Sequence, residues 1–162
     1  MRGTSGADGL GSSRHRSRPL GWMTMTNQYD KPVPIPENPA PTRPYWDAAK
    51  RHELVQPRCK RCNDFFWYPR EQCPNCFSQD IEWVTVSGKG KVYAYTIVYQ
   101  TGHPAFQEGA PHVLAAIDLE EGTRLISNVI GCPVEEVKID MPVTVVFDDV
   151  TPEWTLPKFK PA

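Results

Sequence analysis

The sequence lacks any long apolar run. No stretch of its 162 residues approaches the roughly 20 apolar residues that a membrane-spanning helix needs, which excludes a spanning segment. A charge excess of one sign is also missing, since 18 Lys and Arg face 19 Asp and Glu. This balance argues against a chain whose whole surface binds nucleic acid by neutralising phosphates.

Familiar catalytic motifs are missing too. The chain has no Gly-x-Ser-x-Gly elbow, no His-Glu-x-x-His motif and no phosphate-binding Gly-rich loop ending in Lys-Ser or Lys-Thr. His103 lies in a loop rich in Gly and Pro, where it either moves protons for a bound ligand or stays solvated. We expect Cys132 to be a packing residue, because a nucleophilic thiol needs an activating base or a helix N-terminus. These residues therefore give no familiar signature of catalysis by the chain alone.

Proline is in surplus, with 17 residues, and it excludes long helices from much of the chain. Residues 1–22 are rich in Arg, Gly and Ser and lack the central apolar stretch of a secretory signal, so they suggest a transit peptide, a tag or a misassigned start. In residues 27–44 proline recurs every two or three positions, which favours a linker or an extended strap along a partner. We predict a disordered or extended arm over residues 1–42 and a cytoplasmic location.

A short helix is predicted after Thr42. Pro44 suits the first turn of a helix, and the apolar positions between Tyr45 and His52 recur at helical spacing, so the helix is expected to run to Leu54. A helix of about ten residues is not stable alone in water. It must therefore dock on the rest of the protein or on a partner.

The strongest chemical signal is a pair of Cys-x2-Cys motifs, Cys59 with Cys62 and Cys73 with Cys76. Each motif can turn so that two thiolates point at one site, and two such turns complete a tetrahedral four-sulfur site. Closed sites of this kind are typical of structural zinc, whereas iron in a rubredoxin-like centre and two disulfides are the alternatives. We predict structural Zn²⁺ in preference to iron, with Phe65–Tyr68 forming the strands of a small ribbon.

Basic residues surround the cysteines. They either screen the charge of the four thiolates or form a basic rim for phosphate groups, and the sequence favours neither interpretation. The four residues concerned are Arg58, Lys60, Arg61 and Arg70.

Short alternating runs follow residue 80 and predict strands. Gly88 and Gly90 predict a bend or bulge inside a long first strand, beyond which the alternation places Val92 and Ala94 on one face. Five such strands, with a small insert before the last, favour a partly open OB-type barrel, with an open sandwich as the alternative. The runs are Ile81–Val86, Lys91–Tyr99, His112–Leu119, Thr123–Ile130 and Pro142–Asp148.

The ordered set of motifs resembles one known family, the OB-fold proteins with a rubredoxin-like zinc ribbon called domain of unknown function thirty-five. The resemblance covers about residues 43–160 and implies a mainly β fold, with a helix and zinc ribbon over residues 43–80 and a five-stranded OB-fold barrel over residues 81–162. The motifs are Tyr45–Ala49, the two cysteine pairs, Tyr68-Pro69-Arg70, Trp83, Ser87-Gly88-Lys89-Gly90, Val92-Tyr93, Gly131, Met141-Pro142-Val143 and Leu156-Pro157-Lys158-Phe159.

That family implies a function which composition does not show. Its members accompany thiolase-fold enzymes, and the catalytic cysteine belongs to the partner. The resemblance implies a non-catalytic accessory subunit of an acyl-CoA thiolase, synthase or aldolase complex, which stabilises the partner and helps to form the acyl-CoA site. The metal ligands are then Cys59, Cys62, Cys73 and Cys76. Contacts with CoA or with the partner are expected at Tyr45, Trp46, Arg61, Phe66, Trp67, Arg70 and Phe106.

Single-stranded nucleic-acid binding is the alternative function, because OB barrels and zinc ribbons both serve it. The barrel segment carries an acidic excess that repels phosphates, so we rank this alternative second. A stacking face for nucleic acid would use Tyr93, Tyr95, Tyr99, Lys89, Lys91 and Arg124.

Overall fold

The computed structural model describes residues 40–102, 104–107 and 109–162. His103 and residues 1–39 of the predicted arm lie outside these residues, so the expectations for them remain predictions. The described part begins with a 3-10 turn, Ala40–Thr42, that leads directly into the first helix.

Helix α1 spans Arg43–Lys50, with Pro44 in its first turn as predicted. Its buried residues are Ala48 and Ala49, which pack closely because small side chains let the helix approach its neighbours. The predicted continuation to Leu54 is wrong. The backbone turns left-handed at His52, with φ of 59°, and this ends the helix.

The ribbon is built on a two-stranded antiparallel sheet. Strand β1, Val55–Cys59, pairs with β2, Ile81–Thr85, so that Cys59 lies opposite Ile81. This corrects two predictions, since Phe65–Tyr68 forms no strand beyond one bridge between Phe65 and Arg58, and β2 belongs to the ribbon sheet rather than to the barrel. The division of the chain at residue 81 remains a prediction.

The barrel has five strands and is closed. They are β3, Lys89–Val98; β4, His112–Leu119; β5, Arg124–Val129; β6, Pro142–Asp149; and β7, Thr155–Pro161. The spatial order β3-β4-β5-β7-β6 closes through antiparallel pairing of β3 with β6, and β5 runs parallel to β7. The fifth strand is therefore β7 and not the segment from residue 81. Helix α2, Pro104–Gln107, lies in the connection between β3 and β4.

The barrel core is apolar, aliphatic except for Phe159, and almost fully buried. Phe159, Ile117, Val92 and Val143 are each at most 1% exposed, and Leu54 enters the same cluster from the chain after α1. Burial of each such side chain stabilises the fold by about 1.5–3 kcal/mol. The core is completed by Val86, Val113, Ala115, Leu119, Leu125, Val129 and Val137.

A bulge in β3 changes which residues face inward. The register with β4 shifts between Val92 and Ala94, so Tyr93 is an extra residue. Tyr95 pairs with buried Ala115, whereas Ala94 pairs with Ala116 and is exposed. The predicted grouping of Val92 with Ala94 is therefore wrong, because one extra residue reverses a period-two pattern.

Two glycines carry the chain from the ribbon sheet into the barrel. Gly88 has φ of +69°, and a Cβ there would lie 2.3 Å from Cγ1 of Val145. At Gly90 a Cβ would lie 2.4 Å from the carbonyl oxygen of Asp118. The prediction that these glycines bend one long strand is wrong. They let the chain at the start of β3 pass close to β4 and β6.

No helix in the described ranges is both long enough and apolar enough to cross a membrane.

Candidate functional site

The four paired cysteines lie on two knuckles of the same design, Cys59–Asp64 and Cys73–Ser78. In each knuckle the first Cys donates its N–H to the carbonyl five residues later, over 2.9 Å. Its own carbonyl accepts from the residue four positions later, Asn63 at 2.8 Å and Phe77 at 3.0 Å. Both Asn63 and Phe77 have a left-handed backbone conformation, with φ of 63° and 56°. The Cys-x2-Cys spacing thus folds locally into a turn that places two sulfurs side by side.

The two knuckles bring their sulfurs to one point. All four Sγ atoms lie within 4.8 Å of one another, with 3.5 Å between those of Cys59 and Cys76 and 3.6 Å between those of Cys62 and Cys73. Four sulfurs held about 2.3 Å from one tetrahedral metal ion are separated by about 3.8 Å, so the arrangement fits such an ion. The described cysteines are free thiols, which excludes the disulfide alternative in this structure.

The thiols influence one another's ionisation. The pKa of Cys59 is lowered to about 7, first because the backbone N–H of Cys62 donates to its sulfur. The N–H of Asp64 favours the Cys62 thiolate, but burial and the neighbouring thiols outweigh it and raise the pKa of Cys62 to about 12. Burial likewise raises the pKa of Cys76 against the N–H of Ser78. One thiolate therefore forms easily, and its charge opposes ionisation of the other thiols. A bound cation compensates this charge and lets all four thiols ionise.

The knuckles are held together by protein contacts as well. Asn75 of the second knuckle donates a 2.6 Å hydrogen bond to the carboxylate of Asp64 in the first. Phe66 is 6% exposed and packs in one cluster with Cys59 and Cys73, so its ring belongs to the interior of the ribbon. The predicted contact of Phe66 with CoA or a partner stays a prediction.

Half of the predicted basic rim is neutralised. Arg58 pairs with Glu82 across the ribbon sheet, with 2.6 Å between guanidinium and carboxylate, and Lys60 pairs with Asp80 at 3.1 Å. Arg61 and Arg70 are exposed and make no ion pair within the described residues. Only these two remain available for an anionic ligand.

Three other predicted contact residues meet in one aromatic cluster between α1, the ribbon and the barrel. The ring of Tyr45 lies 5.0 Å from those of Trp46 and Trp67, and Trp46 meets Trp154 edge-on at 5.4 Å. Burial raises the pKa of Tyr45 above its ordinary value. The cluster fixes α1 on the body of the protein, since aromatic pairs of this geometry contribute about 0.5–1.5 kcal/mol each. Phe106, in α2, is 37% exposed.

The exposed face of β3, β4 and β5 is largely apolar. Pairing aligns Ala94, Ala116 and Ile126 in one row, and Thr96, Leu114 and Asn128 in the next. These six residues are called the outer barrel face. Ile126 is 60% exposed and Leu114 is 40% exposed. No side chain of the outer barrel face is charged, and a fold does not need exposed aliphatic groups of this size for its own stability.

Sequence reasoning missed several residues that connect the parts. Gln56, fully buried in β1, accepts a 2.6 Å hydrogen bond from the hydroxyl of Thr123 beside β5. His52 stacks on Phe147 and contacts Asp149 at 3.0 Å. No local pattern marks such pairs, because their partners are 67 to 97 residues apart in the chain. Gln56 stands in a mixed segment between Glu53 and Arg58, so no sequence signal marks it as buried.

Cys132 is half-buried against the barrel core. Burial and the nearby Glu136 carboxylate raise the pKa of this thiol, the opposite of what activates a nucleophile. Its position agrees with the packing role predicted for it.

The fold and the cysteine site together define a rubredoxin-like ribbon joined to an OB-fold barrel. Residues 46–82 match the family model for the ChsH2 rubredoxin-like zinc ribbon domain, and residues 83–148 match that for the ChsH2 C-terminal OB-fold domain. The chain belongs to this family, whose members carry the DUF35 domain, as the sequence predicted.

Several proteins of this family are similar to the chain. A DUF35 domain-containing scaffold protein of Methanocaldococcus jannaschii is 40% identical over 99 residues, which cover 60% of this chain and 70% of that protein. A probable enoyl-CoA hydratase alpha subunit of Thermomonospora curvata is 39% identical over 135 residues, but the chain spans only 42% of that relative's length. The benzoylsuccinyl-CoA thiolase subunit BbsA of Geobacter metallireducens is 34% identical over 76 residues, covering 46% of this chain and 48% of BbsA.

A solved structure is also similar. A chain of the Ltp2-ChsH2(DUF35) aldolase superposes with a TM-score of 0.69 and 37% sequence identity. The match covers 80% of this chain and 98% of that chain. The ribbon-and-barrel arrangement is therefore shared with a chain of that aldolase.

Proposed function

We propose that this chain is a non-catalytic accessory subunit of a thiolase-like enzyme complex that acts on acyl-CoA, and that it stabilises its catalytic partner. The observation that carries the proposal is the match over 98% of a chain from the Ltp2-ChsH2(DUF35) aldolase. Names of other relatives agree, because they include scaffold proteins and a subunit of a CoA-dependent thiolase. The relative named as a hydratase alpha subunit is more than twice as long as the matched region.

The outer barrel face supports docking of a protein. Interfaces between proteins have an apolar centre with few charges and a polar rim. Leu114 and Ile126 provide such a centre, and the bidentate pair of Arg124 with Asp118, at 2.5 and 2.9 Å, lies on the same strands toward one end. We assign this face to the partner subunit.

The same face argues against nucleic-acid binding. OB folds bind oligonucleotides on the strands that correspond here to β4 and β5, using aromatic and basic side chains. The outer barrel face carries neither kind. Tyr93, the nearest aromatic candidate, already has the guanidinium of Arg124 only 3.2 Å from the centre of its ring.

The metal site has a structural role in this proposal. Four thiolates fill a tetrahedral shell and leave no position for substrate, and zinc is the common occupant of such closed sites. The binding free energy of zinc, about 10–16 kcal/mol in small zinc-finger peptides, is available to order the ribbon. We propose zinc rather than iron, with Cys59, Cys62, Cys73 and Cys76 as ligands. Free thiols that hold a metal also fit the proposed cytoplasmic location.

The other predicted contact residues divide into two groups. Tyr45, Trp46 and Trp67 are half-buried in the aromatic cluster, so we propose that they act by fixing the position of α1. Arg61, Arg70 and Phe106 are exposed, and we propose that they contact the partner or the phosphates and adenine of CoA.

Co-expression tests the proposal. The full chain is produced with the thiolase-fold proteins of its own genome, beginning with any that is encoded beside it, and complexes are identified by size-exclusion chromatography with light scattering. We expect one thiolase-fold protein to form a stoichiometric complex with the chain. If none does so, the proposed function is wrong.

A matched pair of variants tests the assigned face. Ile126→Glu places a charge at the centre of the outer barrel face, whereas Ile139→Glu changes an isoleucine of similar exposure, 63% against 60%, in the segment before β6. We expect Ile126→Glu to weaken the complex at least about tenfold, or 1.4 kcal/mol, and Ile139→Glu to change it little. Equal effects of the two variants would show that the partner does not dock on the outer barrel face.

A further inference from the structure

The second knuckle contains a phenylalanine in an unfavourable backbone conformation. Phe77 has φ of 56°, a left-handed conformation that is rare for bulky side chains. Its side chain is 75% exposed, more than any other large apolar side chain in the described residues. Neither backbone preference nor burial in the core therefore explains a phenylalanine at this position.

The first knuckle shows that the fold does not need one. Asn63 occupies the corresponding position, with φ of 63° and the same hydrogen bond to the first cysteine of its knuckle. Asparagine enters the left-handed region more readily than other side chains, because its short polar group bonds locally. The two knuckles share one backbone design, and only the second carries an exposed aromatic ring.

The surroundings of Phe77 suit contact with another molecule. Together with Arg70, Gln72 and Pro74 it lines an open groove of about 460 Å³. Glu71 lines the same groove, which therefore carries one charge of each sign. The knuckle backbone is fixed by its hydrogen bonds, so only the side-chain torsions of Phe77 remain free before a contact forms. Ordering the ring costs little, since a phenylalanine has two side-chain torsions.

The exposed area decides which partner fits. A phenylalanine offers about 150–250 Å² when fully buried, so a ring that is 75% exposed offers roughly 150 Å². Two copies meeting at this point would bury a few hundred Å², far below the roughly 1,200 Å² of a stable interface. A protruding ring of this size fits an apolar socket within a larger interface, such as the one we propose for the outer barrel face.

We propose that Phe77 inserts into an apolar socket on the catalytic partner subunit, as a second docking point in addition to the outer barrel face. This inference rests on the proposed function. It predicts opposite effects on stability and on binding, because Phe77 is unfavourable for the isolated chain and favourable for the complex.

The test compares Phe77→Asn with Phe77→Leu in the full metal-loaded chain, using the thiolase-fold protein that co-purifies with the wild type. Phe77→Asn copies the first knuckle. We expect unchanged metal content, an equal or higher urea midpoint, and at least about tenfold weaker binding of the partner. Phe77→Leu keeps an apolar side chain, so we expect binding within about threefold of the wild type.

Three outcomes overturn the proposal. In the first, Phe77→Asn binds the partner as tightly as the wild type does. In the second, its urea midpoint falls together with its affinity, which identifies Phe77 as a packing residue. In the third, Phe77→Asn loses binding of coenzyme A, titrated directly, while partner binding stays intact, which assigns the ring to the ligand. If the wild type forms no complex, the proposed function fails instead.

Discussion

At the scale of single residues, the metal centre depends on backbone groups as much as on sulfur. The N–H groups of Cys62, Asp64 and Ser78 point at cysteine sulfurs and favour their thiolates. Such hydrogen bonds to a charged acceptor are stronger than those between neutral groups. The site is thus prepared for a cation before one binds.

Cys73→Ser tests this arrangement. Replacing a buried ligand should weaken metal binding by more than the roughly 10–100-fold that loss of an outer-shell contact costs, and should leave the ribbon disordered. Elemental analysis and the near-ultraviolet spectrum of the aromatic cluster measure the two effects. Cys132→Ser, at a cysteine that lies apart from the four, is the control and should keep one metal ion per chain. A Cys73→Ser variant with full metal content and normal partner binding would contradict the structural role of the ribbon.

The residues that sequence could identify are those whose chemistry is local. Cys59, Cys62, Cys73 and Cys76 were predictable because two turns of four residues already fix their geometry. Burial of Phe66 with Cys59 and Cys73 was not predictable, since a run of aromatic residues does not reveal which ring packs against the cysteines. Phe77 went unnoticed because its significance lies in a backbone angle.

At the scale of elements, the passage from ribbon to barrel is the most constrained part of the chain. The carbonyl of Gly88 accepts a 2.8 Å hydrogen bond from Val145 in β6, and Gly90 pairs with Leu119 in β4. Both neighbours approach so closely that a side chain has no room. The segment with Gly88 and Gly90 thus joins β4 to β6 at the start of β3 and closes the barrel there.

Gly90→Ala tests the close approach. Its Cβ would meet the backbone oxygen of Asp118 at 2.4 Å, and backbone within a closed barrel cannot move aside freely. We expect a loss of at least about 2 kcal/mol in the free energy of unfolding, measured by urea titration. At Gly102 a Cβ would have no neighbour within 4 Å, so Gly102→Ala should change stability by less than about 0.5 kcal/mol. A neutral Gly90→Ala would show that β3 and β4 are farther apart than described.

The hydrogen bond between Gln56 and Thr123 couples the ribbon sheet to the barrel. Thr123→Val removes the donor and leaves a buried amide oxygen unsatisfied, which should cost about 1–3 kcal/mol. Gln56→Met combined with Thr123→Val removes both partners and should recover part of the loss, also because the Gln56 amide nitrogen has no partner within the described residues. Urea titration of both variants measures the difference. Additive losses in the double variant would mean that the two side chains are not coupled.

Strands were predicted well where the alternation of apolar and polar residues is strong. They were predicted poorly where pairing with a distant strand determines the sheet to which a strand belongs. The strands at 112–119, 124–129 and 142–149 follow their alternation. Strand β2 has the same pattern but pairs with β1, and a local pattern does not name a partner. The bulge at Tyr93 carries no sequence signal, because any residue can be the extra one.

At the scale of the whole molecule, three parts act as one scaffold. Helix α1 is fixed by aromatic contacts, the ribbon by four cysteines and the barrel by its apolar core. The outer barrel face and the tip of the ribbon at Phe77 remain exposed. Under the proposed function, this scaffold presents two rigid surfaces to a protein that performs the chemistry.

Acyl-CoA turnover, measured for each purified protein and for their complex, tests the central claim most directly. We predict that the chain alone shows no thiolase, aldolase or acyltransferase activity, and that activity appears with the thiolase-fold partner and is more stable in the complex. Cys132→Ala should leave the activity of the complex unchanged, since the thiol at Cys132 has a raised pKa and packs against the core. Turnover by the isolated chain that disappears in Cys132→Ala would contradict the account.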